Sequence, residues 1–281
     1  MKKSNTIIKC LQFLFMAGLL FTVVFLIRKL EIVSDIKCED VYWERARYLL
    51  GQGGVSFFGG SSLCSLGYSL FLAPIGWVIS NARHAYRLAI AVNGVFLCGS
   101  YLLAIYAGKQ MFPEENEGVI TLAVSGVFIS PAFISGRVLS LPENIVIFCV
   151  WLCICLMEQI NKRPTKSRMV IFSLVLVIIG SFEIYAVGII AGFLVCLLLC
   201  DKKHQLKGEA FLSSLLIVIL GLAVCNIAER VLFALWYEKT DLNVLSSAEV
   251  FLDGISSGWS DGQINGLLAG LSAKSFSLMA S

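Results

Sequence analysis

Seven apolar runs, the last six joined by short connections, constrain this chain more than any other feature. They lie at about residues 7–27, 88–107, 119–135, 145–157, 169–181, 186–200 and 211–228. In lipid no water is available to satisfy backbone N–H and C=O groups, so such runs cross as helices, each needing about 20 apolar residues. Several of these runs are shorter, which tilt or local thinning of the bilayer accommodates. Only 15% of the residues are charged and 58% are hydrophobic, against about 25% and 45–50% in soluble domains. That composition excludes a soluble enzyme. The expected fold is all-α, a polytopic transmembrane helical bundle of about seven spans. A net charge of +3 is too small to suggest a nucleic-acid partner.

The placement of the few charges sets an orientation. Lys2, Lys3 and Lys9 lead into the first run, which is longer than a signal-peptide core and ends in Phe25, Leu26 and Ile27 rather than in small residues. It reads as a retained span with the N-terminus cytoplasmic. Two short basic connections, NKRPTKSR at 161–168 and DKKHQLKG at 201–208, belong on the same side, with residues 169–200 between them as a helical hairpin. Parity then decides the segment GYSLFLAPIGWVIS at 67–80. If it crossed, the 161–168 connection would fall outside, so it is expected as a juxtamembrane or interfacial helix, interrupted by Pro74 and Gly76. The acidic PEENEG at 113–118 becomes cytoplasmic, which the rule tolerates because carboxylates contribute little to orientation.

The expected organisation is a transmembrane domain over 1–228 and an extracytoplasmic tail over 229–281, where Trp236 and Tyr237 sit as an interfacial aromatic belt would. The first outer loop runs over about 28–87, and smaller outer turns lie near 137–143 and at Glu183. The protein is expected to be a multi-pass component of a plasma membrane, inner membrane or equivalent.

The one dense cluster of ionisable and aromatic residues lies in the first outer loop, DIKCEDVYWERARYLL at 35–50. On a helix Asp40, Glu44 and Tyr48 share one face, and Val41, Arg45 and Leu49 form the adjacent stripe. Two carboxylates one turn apart repel by about 0.2–0.5 kcal/mol, so helix stability does not explain them. Asp40 as an N-cap, with Glu44 and Arg47 solvated, is the plainer alternative that the residues leave open. The GQGGVSFFGGSS that follows at 51–62 lacks a Lys-Ser or Lys-Thr and a preceding strand, so it reads as a connector rather than a phosphate loop.

The order of these features resembles the GT-C superfamily of integral membrane glycosyltransferases, closest in layout to the protein O-mannosyltransferase and lipid A aminoarabinose transferase branches. The matching features are an N-terminal span, Asp40 and Tyr42 ahead of ERARYLL, a Gly-rich break, then Gly67, Tyr68, Ala73 and Pro74, and a span opening with Arg87 and containing Asn93. Ser69 stands where the family commonly has a Pro, and Pro131, Arg137 and Glu143 lie around the second outer turn. The likeness covers about residues 7–200 and rests on order and spacing. Members of that superfamily are usually longer.

The resemblance implies transfer of a sugar from a polyprenyl-phosphate donor to an acceptor glycan, lipid or protein at the extracytoplasmic or lumenal face. A first-loop carboxylate would act as general base, with Asp40 the candidate and Glu39 and Glu44 the alternates. The departing phosphate would be stabilised by Arg45, Arg47, Arg87 and Arg137, with Arg83 also on that side. Glu143 and Tyr42 are expected to orient the acceptor or the loop. No cofactor is required, although a divalent metal ion near Asp40 and Glu44 fits some branches.

Eight of the ten cysteines lie in or beside apolar runs as small hydrophobes, and only Cys38 and Cys64 fall in the outer loop, where an oxidising compartment could pair them. His84 and His204 fall on opposite sides and form no metal site. Two other classes of function are weighed against the transferase. A transporter or channel places ionisable residues near the bilayer midplane, where these runs carry mainly Asn93 and Asn226. A non-catalytic scaffold or O-antigen polymerase-like protein would also carry arginines and aromatics outside, but in a much later loop.

The orientation is directly testable. With an impermeant thiol reagent on intact cells, Cys38 and Cys64 react after reduction and a Lys166→Cys variant does not. The reverse pattern would show that the chain is inserted the other way round.

Overall fold

The structure is a computed structural model, and it describes residues 2–29, 37–51, 66–79, 81–129, 141–163, 165–183, 186–204 and 209–236. Among the described residues the fold is all-helical. Its helices are α1 Lys2–Lys29, α2 Lys37–Leu49, α3 Leu66–Val78, α4 Ala82–Met111, α5 Glu117–Ile129, α6 Glu143–Lys162, α7 Lys166–Phe182, α8 Val187–His204 and α9 Glu209–Trp236.

Four of these contain stretches long and apolar enough to cross a membrane: Ile8–Phe25, Ala82–Met111, Glu143–Lys162 and Phe211–Glu229. Leu66–Val78, Glu117–Ile129 and Val187–Leu199 are shorter apolar helices. The outward side chains of α1 and α9 include Phe13, Leu14, Phe21, Leu212, Leu216, Ile219, Leu220 and Val224, all exposed. A water-soluble protein does not present apolar faces of that extent, whereas lipid tails solvate them without penalty.

The bundle is built around α4 and α6. Phe96 meets Phe148 edge-on at 5.3 Å, the Cys155 thiol lies 3.6 Å from the Leu103 carbonyl, and the Lys162 ammonium reaches Gln110. The same register recurs along both helices, so they run parallel. Their close approach depends on Gly99, where a Cβ would come within 2.8 Å of the Phe148 ring. Helix α5 connects them and runs antiparallel to α4, as Tyr101 to Ser125 at 2.9 Å and Lys109 to Glu117 show. Helix α1 lies antiparallel to α4, with Phe15 stacked on Tyr101 and Val23 against Gly94. Gln12 donates to Thr121 of α5 at 3.0 Å.

A tight turn returns α6 into α7. Thr165 caps α7 by accepting from the Arg168 N–H, and the Arg168 guanidinium donates to the Gln159 and Arg163 carbonyls at 3.1 and 2.7 Å. A cation over the carbonyl end of a helix satisfies orphan acceptors and offsets the macrodipole together. Helices α7 and α9 run parallel, with Gly180 against Leu222 and Gly221 against Val177. Small residues at these contacts let apolar helices approach closely where burial from water supplies no driving force.

The contacts define two ends. At the far end lie the start of α1 and the α4–α5 and α6–α7 turns, with Lys9, Lys109, Lys162, Arg163, Lys166 and Arg168. At the other end lie α2, α3, the starts of α4 and α6 and the finish of α7. Helix α3, like α5, has 13 residues, about 20 Å of helix, which is short of the ~30 Å hydrocarbon core unless the bilayer thins. Its first turn presses on the last turn of α7, where Gly67 faces the Ser181 carbonyl so closely that a Cβ would collide with it. Helix α9 runs without a break through the expected 228/229 boundary to Trp236.

The glycine contacts make a graded prediction. Gly67→Ala lowers the melting temperature of the detergent-solubilised protein by the equivalent of about 1–3 kcal/mol, because the obstruction is backbone rather than a movable side chain. Gly192→Ala, in α8 with nothing within 4 Å of a new Cβ, changes stability by less than about 1 kcal/mol. Equal effects at the two positions would refute the close approach of α3 to α7.

Candidate functional site

The first-loop cluster folds as α2. Tyr42, Arg45 and Ala46 are buried and Leu49 packs on the core, which is the i, i+3, i+4, i+7 stripe of an amphipathic helix. Positions 40, 44 and 47 fall on the opposite side by helical register. Accordingly Arg47 is exposed and Glu44 half-buried. Helix α2 spans Lys37–Leu49, so position 40 lies within it rather than at its cap. The side chains of Glu39 and Asp40 lie outside the described residues, as do Arg137 and the Cys38 and Cys64 thiols.

Helix α2 is seated on α3 by aromatic packing. The Tyr42 ring meets the Tyr68 ring edge-on at 5.1 Å, and Trp43 lies 6.5 Å from Tyr86 of α4. Edge-to-face aromatic pairs add about 0.5–1.5 kcal/mol beyond their area. Tyr42, expected to orient the acceptor or the loop, is 3% exposed, a position from which it seats the loop helix.

Tyr68 is the point where the elements of this end converge. It is fully buried, touching Phe71 of its own helix and, edge-on at 6.2 Å, Phe182 of α7. Its hydroxyl accepts from the Asn93 amide nitrogen at 3.3 Å, and the same nitrogen donates to the Leu141 carbonyl at 3.2 Å, just ahead of α6. Asn93 is itself fully buried. One carboxamide thus links α3, α4 and the entry to α6. Beside Tyr68, the buried Ser69 hydroxyl makes no hydrogen bond among the described residues.

A second tie joins α2 to the last described helix. The Arg45 guanidinium lies 3.7 Å from a carboxylate oxygen of Glu229 on α9, with the side chains 6% and 13% exposed. Of the remaining candidates, Arg87 is half-buried in the second turn of α4, while Arg83 and His84 are exposed in its first turn, which Asn81 caps at 3.0 and 3.3 Å. Glu143 is exposed in the first turn of α6. The structure therefore brings Tyr42, Arg45, Tyr68 and Asn93 onto one end of the bundle, with Arg47, Arg87 and Glu143 more exposed on the elements around them. Among the described residues no group of three or more His, Cys, Asp or Glu side chains could hold a metal ion.

Sequence reading missed Glu229 and the Leu141 carbonyl. The signal for Glu229 was a carboxylate at the close of an otherwise apolar run, which points to a polar partner but does not name it. The Leu141 contact uses backbone and leaves no trace in side-chain type.

Conservative substitutions test this arrangement by melting temperature. Tyr68→Phe costs about 0.5–1.5 kcal/mol. Asn93→Ala costs more, because it removes both hydrogen bonds and opens a cavity. Ser69→Ala leaves stability unchanged or slightly higher, since its hydroxyl is buried without a bond. A larger loss at Ser69 than at Tyr68 would contradict the hydrogen bonding described.

The chain matches no protein-family model, and no curated protein or solved structure matches it.

Proposed function

We propose that this chain is a multi-pass membrane glycosyltransferase that moves a sugar from a polyprenyl-phosphate donor to an acceptor at the extracytoplasmic face. In this reading α1 and α4 to α9 are seven spans, and α2 and α3 are juxtamembrane helices of the first outer loop. The N-terminus is cytoplasmic. The alternating directions of the packed helices and the lysines and arginines in the short far-end turns support that orientation. The observation that carries the reading is the seating of α2 on α3 through Tyr42 and Tyr68, which fixes the acid-bearing segment to the bundle end opposite those turns.

The chemistry asks little of the chain. Asp40 takes the proton of the acceptor hydroxyl as its oxygen attacks the anomeric carbon, the bond from that carbon to the phosphate oxygen breaks, and polyprenyl phosphate leaves with the electron pair. Arg47 and Arg87 supply cations for the growing phosphate charge, with Arg137 on the second outer turn. Glu39 and Glu44 are the alternate bases. Glu143, at the start of α6, orients the acceptor. A divalent ion, if the enzyme uses one, would be held near the carboxylates of α2.

Asp40→Asn is isosteric and removes only the base. Sugar transfer from a polyprenyl-phosphate donor falls at least about 100-fold, with the melting temperature and donor KM near the wild-type values. Undiminished transfer would remove Asp40 as the base, and Glu44→Gln and Glu39→Gln would then separate the alternates.

A further inference from the structure

Arg45 differs from the other arginines of this end in where it is turned. It sits on the packed side of α2, 6% exposed, with the Glu229 carboxylate 3.7 Å away, whereas Arg47 is exposed. A ligand for a lipid phosphate must reach the donor. A cation enclosed against another helix and already balanced by a carboxylate is poorly placed for that.

Stability does not account for the pair either. Removing two charges from water costs about as much as their attraction returns, so apolar residues of similar volume hold helices together at least as well. What a buried ion pair adds is a geometrical requirement, because a charge out of water needs its opposite held close by. Here the requirement falls on α2, the helix that carries position 40. Tyr42 on Tyr68 and Trp43 beside Tyr86 attach it to α3 and α4, and Arg45 on Glu229, one turn along from Tyr42, attaches it to α9 as well. A contact with a third helix narrows the roll and tilt that the aromatic contacts leave to α2. Rolling α2 moves positions 40 and 44 directly, since they lie on the side opposite the packed stripe.

We infer that Arg45 and Glu229 are positioning residues, an ion-pair latch by which the last described helix sets the rotation of α2 and so the reach of its carboxylate. The inference rests on the transferase reading and reassigns Arg45 within it, leaving the donor phosphate to Arg47, Arg87 and Arg137. It also makes α9 part of the functional end.

The latch and the ligand roles separate in a charge exchange. A phosphate ligand cannot be replaced by a carboxylate, whereas a latch works in either polarity. With the full chain in nanodiscs, Glu229→Gln and Arg45→Gln each lower kcat about 100-fold, the expected scale for an angstrom of misplacement. Donor KM stays within about threefold, since no contact to the donor is lost. Arg45→Glu combined with Glu229→Arg restores kcat to within about fivefold of wild type. If the exchange does not fold, Arg45→Met with Glu229→Leu takes its place and restores kcat likewise, because it rejoins the helices without charge.

A folded rejoined variant as inactive as Arg45→Gln, a rise in donor KM, or single variants with normal kcat would each overturn the latch. Binding of sugar-free polyprenyl phosphate to the wild type, followed by native mass spectrometry, separates this result from the parent reading. A wild type that neither binds that lipid nor transfers sugar overturns the transferase and the positioning role with it. A wild type that does both, beside a failed exchange, overturns the latch alone.

Discussion

A carboxamide enclosed among apolar side chains is costly unless its protons are used, and the use Asn93 makes of them joins the short helices to the bundle. Its nitrogen donates to the Tyr68 hydroxyl and to the Leu141 carbonyl. Each bond in isolation is worth about 1 kcal/mol net. Left unmade in a nonpolar setting the same groups would cost more than that, so the pairing is directional in a way that apolar contact is not. Once α3 is held at that height on α4, Gly67 falls against the Ser181 carbonyl, Tyr68 meets Phe182, and the aromatic surface that receives Tyr42 is complete. The placement of α2 follows from a hydrogen bond two helices away.

The two ends of the bundle use their charges differently. At the far end they serve helix termini: Arg168 covers the carbonyls at the close of α6, Lys109 meets Glu117 across the α4–α5 turn, and Lys162 meets Glu158 and Gln110. These contacts make short turns compact and keep cations at a membrane surface. At the end carrying α2 and α3, the charges sit on two short helices and on the first turns of long ones, with Arg45 buried and Arg47 exposed within two residues of each other. That division follows the amphipathic stripe of α2, and it gives neighbouring arginines different surroundings.

Much of this organisation was legible because lipid imposes a simple rule. Among the described residues the apolar runs fall on helices, four of them long and apolar enough to cross a membrane, and the Pro74 segment is helical as well. What could not be read depends on distance in the sequence. Nothing near Arg45 or Glu229 marks them as partners, and the parallel register of α4 and α6 depends on Gly99 accommodating the Phe148 ring, a matter of shape rather than hydropathy. Of the two readings left open for Asp40, a cap or a position on a helix face, α2 from Lys37 to Leu49 includes position 40 within the helix.

Several polar groups inside the bundle are used in pairs and turns. Tyr101 meets Ser125, Gln12 meets Thr121, and the Ser100 and Ser173 hydroxyls return to the carbonyls of Phe96 and Met169 in their own helices. A carrier that moves a polar solute or a proton needs groups that change partners along a path, and in membranes those groups are usually ionisable. Among the described residues, the ionisable side chains of α4, α6 and α7 stay near the helix ends. Some of the interior polar contacts join elements, side chain to side chain or side chain to backbone, as Tyr101 to Ser125 and Asn93 to Leu141 do, and others stay within one helix. Such contacts hold a shape, and among the described residues the exposed Arg47 and the half-buried Glu44 lie on a short helix folded over one end of the bundle.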